Sequence, residues 1–300
     1  MKNLVKLKPL LLLHGFFVCG QAIGGSAATL ETLMRTIAEG EGRPVYEAFK
    51  AIPVVANTAE KQEKAFEGLS IYLGQADKYC VVPDYYPPPT HVLQKSFSYA
   101  QMASEAIWNL GEPGRRGLVN CLSKPKPVAE QAAVILCAIE ESAIHSKGRP
   151  ESRNFPPLDA GERKALEAFL QQRGNSFSVH TLTRFYRAGL PAAAEYMHAT
   201  LKSTRDPAEK LSAAIYLGSY GYAPALDDLL KIYKDTPDAS LRGSVREGFQ
   251  YFSDSDRVTK ALTEIMENAK DEGLRKDCQT ALELVRLKAE WRRVRNKGDQ

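Results

Sequence analysis

Few residues of this chain are spaced for chemistry. Beyond the N-terminal segment the histidines His91, His145, His180 and His198 stand singly. None forms the HExxH spacing that would bring two imidazoles onto one helical face around a zinc ion. Asp254 and Asp256, in DSDR, are spaced like the first ligands of a calcium loop. Val258 occupies the next ligand position and no bidentate glutamate follows, so they read as a helix cap. GNSFS from Gly174 and GSYG from Gly218 both fail the GxSxG pattern that exposes a nucleophilic serine on a strand-to-helix turn. These patterns point to no catalytic residue, no metal ion and no cofactor.

The cysteines depend on compartment, and the chain opens as an exported protein does. MKNLVKLKPLLLLHGFFVCGQAIGGSAA places three lysines before any acid, then an apolar run from Leu10 to Cys19, then small residues. That order is a secretory signal peptide over residues 1–28, cleaved after Ala28. Its apolar run is about half of the roughly 20 residues that span a bilayer, so no membrane insertion is expected after cleavage. Removing Lys2, Lys6 and Lys8 leaves 37 of the 40 basic side chains against 36 acidic ones. A net field near zero gives no support to a nucleic-acid partner. In an exported space disulfides persist. Cys80, Cys121, Cys137 and Cys278 could pair, Cys80 with Cys121 being the bridge expected and buried free thiols the alternative.

The elements behind these residues are helices. In RDPAEKLSAAIYLGSYGYAPALDDLLKIYKD, Asp206 caps, Pro207 suits the first turn, and Glu209 completes a capping box. Leu211, Ala214, Ile215 and Gly218 then share a face. Gly221 and Pro224 break that helix, and Pro224 opens a second with Leu226, Leu229, Leu230 and Tyr233 on its apolar side. Further starts fall at Thr236–Pro237 and at Ser253 with Asp256. Leu211, Val245 and Cys278 align at steps of 34 and 33 residues, a period of stacked helix pairs. The string IYLG occurs at Ile71–Gly74 and again at Ile215–Gly218, with SEAIWNLG ending at Gly111 as a third copy. Each glycine is expected to stop the first helix of its unit.

Helix pairs at this period, proline-led starts and the AIYLG and AIWNLG ends resemble short HEAT-type repeats. The likeness is clearest from Arg205 to Val285 and is present from Glu60 to Leu122. The tetratricopeptide pattern fits less well, because Trp108 stands one residue from Leu110 where that family has two. The resemblance implies an all-α solenoid of about six or seven antiparallel hairpins. It also implies a non-catalytic protein that binds a protein partner along an extended surface. The division expected is helical repeats over 29–145 with a proline-rich loop at 81–90, a linker at 146–158, and HEAT-like repeats over 159–300. One enzymatic resemblance competes. Glu141 followed by Ser142 on a helix is similar to the catalytic Glu-Ser of lytic transglycosylases, which would imply a cell-wall glycan-acting enzyme. That family continues into a glycine-rich GLMQ-like stretch, where this chain reads KGRPESRNFPP.

A binding surface is expected where aromatic side chains fall outside apolar faces. Tyr85, Tyr86, Tyr220 and Tyr222 lie in breaker-rich stretches, where rings serve as interface anchors. The last helix carries two apolar stripes, one through Val285 and a second of Leu284, Leu287, Trp291 and Val294. A helix apolar on two faces must cover something on both. Trp291, Arg292 and Arg293 are therefore candidate partner-binding residues, unless the tail folds back over the last repeat.

Overall fold

The structure, a computed structural model, describes residues 28–84, 93–145 and 156–298. Residues 1–27, within the signal peptide expected at 1–28, lie outside the described residues, as do Tyr85, Tyr86, His91 and residues 146–155 of the linker expected at 146–158. Among the described residues fourteen α-helices follow one another, interrupted by one hairpin. They are α1 (Leu30–Glu39), α2 (Arg43–Val55), α3 (Ala59–Ser70), strands β1 (Tyr79–Asp84) and β2 (Leu93–Ser98), α4 (Tyr99–Asn109), α5 (Glu112–Cys121), α6 (Lys126–His145), α7 (Ala160–Arg173), α8 (Val179–Arg187), α9 (Ala193–Ser203), α10 (Pro207–Ser219), α11 (Leu226–Asp235), α12 (Ala239–Gly248), α13 (Ser255–Asn268) and α14 (Glu272–Gly298).

The packing is that of an all-α solenoid. Helices α2, α4, α6, α8, α10, α12 and α14 each lie against the next in that series. The intervening helices form a second row, with α1 on α3, α3 on α5, α5 on α7 and α11 on α13. A hydrogen bond of 2.7 Å between His198 of α9 and Asp228 of α11 continues that row. Neither row could bury its apolar face alone. Together they enclose one hydrophobic cluster that runs from Leu33 to Val285.

Local capping sets the helix starts, with several shifts from the sequence expectation. Asp206 caps α10 through the Ala208 amide at 2.9 Å, as expected. Glu209 does not close a capping box there; its Oε2 instead accepts the Val179 amide at the start of α8, 3.1 Å away. Thr236 ends α11, and Asp238 caps α12. Asp254, rather than Ser253, caps α13 through the Arg257 amide. In each case a carboxylate one or two residues on reaches the free amides better than the hydroxyl does.

Three expectations are corrected. The stretch 81–90 is not wholly loop: β1 and β2 pair antiparallel, from Tyr79 opposite Ser98 to Asp84 opposite Leu93. Pro83 is tolerated because a two-stranded sheet is all edge. Secondly, Cys80 and Cys121 do not form a disulfide; Cys80, Cys121, Cys137 and Cys278 are all free, buried thiols. β1 packs on α2, where the Cys80 thiol donates to the Gly42 carbonyl at 2.8 Å, while Cys121 ends α5.

Thirdly, the IYLG recurrence is not a repeat signature. Ile71 closes α3 in one row and is 65% exposed, whereas Ile215 lies half-buried inside α10 in the other. Tyr72 fills the core against Phe49 and Tyr99, with ring centroids 5.7 Å from each. Tyr216 instead packs beside Tyr220. Of the three glycines expected to stop helices, Gly111 does so, with φ of 72° after α4. Gly218 is inside α10, and the left-handed residues after α8 and α10 are Gly189 and Gly221, at φ 77° and 60°. The Leu211, Val245 and Cys278 alignment does hold, on α10, α12 and α14 of the same row.

Candidate functional site

The final helix α14 has 27 residues, because no breaker interrupts it between Gly273 and Gly298. Asp271 anchors its start by accepting the Gly273 and Leu274 amides at 3.0 and 3.2 Å. Its first half buries Leu274, Cys278, Ala281 and Val285 in the core, in contact with α12 and α13. Past Val285 the second stripe emerges into solvent: Leu287, Trp291 and Val294 are 61%, 51% and 72% exposed. The tail does not fold back to cover them. The spacing i, i+4, i+7 keeps all three on one side of the helix.

Cations frame this stripe. Lys288 Nζ lies 4.7 Å from the Trp291 ring centre and 5.4 Å from that of Tyr251, so one ammonium joins two aromatic faces. Arg295 approaches the same indole at 5.4 Å. Arg293 is exposed. Arg292 turns away from the stripe. Its guanidinium donates to the Phe252 and Gln250 carbonyls at 2.8 and 3.0 Å, tying α14 to the 3-10 turn that follows α12. Tyr251, on that turn, joins the exposed patch although it is 40 residues from Trp291, and no local sequence signal marks it.

Of the expected loop tyrosines, Tyr220 and Tyr222 are engaged with neighbouring helices. Tyr220 stacks on Tyr186 of α8 with ring centroids 4.0 Å apart and planes 17° apart. Tyr216 flanks it at 6.1 Å. Burial pushes the Tyr220 hydroxyl up to about 12, against the lowering influence of Arg187. Tyr222 is half-buried with its ring edge-on to His198, and burial raises it as well. His198 and Lys202 both reach Asp228, at 2.7 and 3.3 Å. Burial raises the Asp228 carboxyl, but the hydrogen bonds from His198 and Lys202 outweigh it and leave it below its usual value.

Glu141 of α6 is nearly covered, and its carboxylate meets two guanidiniums of α8: Oε1 pairs with Arg187, and Oε2 lies 3.7 Å from Arg184. These pairs clamp α6 to α8. A second group, which sequence reasoning missed, surrounds residues 156–158. Glu140, 5% exposed, accepts the Leu158 amide at 2.7 Å and pairs with Arg163 at 2.9 Å. Arg163 also donates to the Gly189 carbonyl at 2.6 Å. Arg115 Nε lies 2.9 Å from Glu162 Oε1, and Nη1 of the same guanidinium donates to the Pro156 carbonyl at 3.2 Å. Glu162 meanwhile completes the Asp159 capping box of α7. A cavity of about 110 Å³ beside Arg115 has Ile107, Trp108, Leu118, Ile139 and Pro156 among its lining residues.

Among the described residues no group of three His, Cys, Asp or Glu side chains is placed to hold a metal ion. Among the same residues no helix is long and apolar enough to cross a membrane.

Two rows of helices stacked along one axis place the chain among α-solenoids of helical-repeat type. No protein-family model matches the chain, and no curated protein matches it in sequence. Among solved structures it is similar to the complex of CpcE and CpcF of phycocyanin lyase from a species of Nostoc, at 15% identity and a TM-score of 0.33. That similarity covers 90% of this chain and 100% of the other. At this level it carries neither function nor partner, and the solenoid is read from the helix packing itself.

Proposed function

We propose that the protein is an exported, non-catalytic scaffold, an adaptor or inhibitor, that engages a protein partner through the end of α14. The observation that supports this is the uncovered stripe Leu287, Trp291 and Val294 beside Tyr251. Three large apolar side chains of α14 stand in solvent, and an exposed patch of this kind marks a contact surface. Covering them contributes about 1.5–3 kcal/mol for each side chain fully buried. Export is supported by the order of residues in 1–28. Glu141 is engaged at both carboxylate oxygens by structural ion pairs, which favours a scaffold over a glycan-acting enzyme.

The test compares full-length protein with the double variant Leu287→Ser, Trp291→Ser in the exported fraction of cells lacking the native copy. The scaffold reading expects a high-mass complex that the double variant loses, with a melting temperature within about 2 °C of wild type, since exposed side chains contribute little to stability. Complexes indifferent to the double variant overturn it. So does release of soluble peptidoglycan fragments by the purified protein that stops with Glu141→Gln.

A further inference from the structure

The chemistry around the exposed stripe of α14 also narrows what can cover it; this step rests on reading that stripe as the docking surface. We infer that the occupant is an amphipathic helix of a different protein, with a leucine-type stripe flanked by glutamates or aspartates. Leu287, Trp291 and Val294 occupy i, i+4 and i+7, the spacing with which one helix presents anchors to another or to a helical groove. The stripe is two turns long and one side chain wide, broadened by the ring of Tyr251, which suits helix pairing better than immersion in a bilayer interface, where a broader apolar face is needed.

Charge selects the flanks. Between Arg286 and Arg295 the helix carries five basic side chains and one acidic one, Glu290, which is paired with Arg286 at 3.2 Å. Arg292 is committed to the Phe252 and Gln250 carbonyls. Lys288 and Arg295 remain poised over the indole face of Trp291, and Arg293 is exposed. A second copy of this chain would set these cations against their own kind. Carboxylates beside the partner's stripe would meet them, as charges flanking an apolar seam select partners in coiled coils. The indole supplies the anchor and the cations supply selectivity.

The probes are two synthetic helical peptides of about 20 residues with the same leucine stripe, long enough to pair across the exposed turns. One is flanked by glutamates and the other by lysines, and both are titrated into labelled full-length protein by fluorescence anisotropy. The glutamate peptide is expected to bind at least about tenfold more tightly than the lysine peptide, and to weaken as salt rises. Trp291→Ser should weaken it by about tenfold or more, and Lys288→Glu with Arg295→Glu should reverse the peptide preference. Equal binding of both peptides, or no binding of either, overturns the inference. So does binding to phosphatidylglycerol vesicles in place of the peptide, or a concentration-dependent dimer by sedimentation velocity that Trp291→Ser abolishes. If the peptides fail while the native complex still depends on Leu287 and Trp291, only the partner chemistry falls; if both fail, the docking surface falls with it.

Discussion

Gly218 of α10 and Gly248 of α12 meet backbone to backbone. A methyl built on Gly218 would lie 3.0 Å from the Gly248 Cα, and one built on Gly248 would lie 2.7 Å from the Gly218 Cα. Neither glycine has a left-handed backbone, so the requirement is for space and not for φ. The two glycines let these helices of one row approach more closely than any side chain would allow. Gly248→Ala is expected to destabilise the protein by about 1–3 kcal/mol through overpacking. Gly243→Ala, with open space around it, should be neutral or stabilising. Urea midpoints for the two variants check this, and equal midpoints would contradict it.

The tyrosine stack between α8 and α10 predicts sensitivity to base. Tyr220 titrates near 12 in the folded protein, above its ordinary value of 10.0. A raised folded value means that the stabilising contribution is complete below the unfolded value and is lost as pH rises from about 10 to 12. Stability measured by urea should therefore fall across that window, and Tyr220→Phe should flatten the fall. An unchanged slope in the Phe variant would show that Tyr220 is not the group responsible.

The ion pair between Arg115 and Glu162 is sheltered on both sides, so removing one member leaves a charge without its partner. Arg115→Met is expected to cost about 3 kcal/mol. It also frees the Pro156 carbonyl that Arg115 holds. Proteolysis with trypsin should then cut after Arg153 faster than in wild type. A loss below about 1 kcal/mol would place the pair among exposed, weakly contributing salt bridges.

Four buried thiols predict a distinct labelling pattern. In protein beginning at Thr29, iodoacetamide without reductant should modify Cys80, Cys121, Cys137 and Cys278 completely in guanidinium, and Cys137 hardly at all under native conditions. Burial holds the Cys137 thiol well above its usual range, which suppresses the reactive thiolate. Two unmodified cysteines in denaturant would instead reveal the disulfide.

The helical array was legible from the C-terminal half, where Asp206 with Pro207 and the regular spacing of Leu211, Val245 and Cys278 repeat. Caps and periodicity act over one or two turns, so they survive in the sequence. The hairpin of β1 and β2 was not legible, because Pro83 argues against a strand unless the sheet has no centre. Tyr220 and Tyr222 sit among turn residues, yet neighbouring helices supply the rings that cover them. Tyr186 comes from α8 and His198 from α9. The second stripe of α14 was visible as a pattern, but whether it was covered was not.

The amino-acid sequence alone determined that this chain makes amphipathic helices in succession, that α10 begins at Asp206 and Pro207, and that the last helix has two apolar sides. Those properties follow from hydrogen bonds and side-chain directions within a few residues. Only the tertiary structure decided the row to which each helix belongs. It placed Ile71 and Ile215 in different rows, brought Gly218 onto Gly248, kept Cys80 apart from any disulfide, and left Trp291 in water beside Tyr251. Each of those outcomes depends on which distant surface satisfies a face, and identical local strings have no means of choosing it.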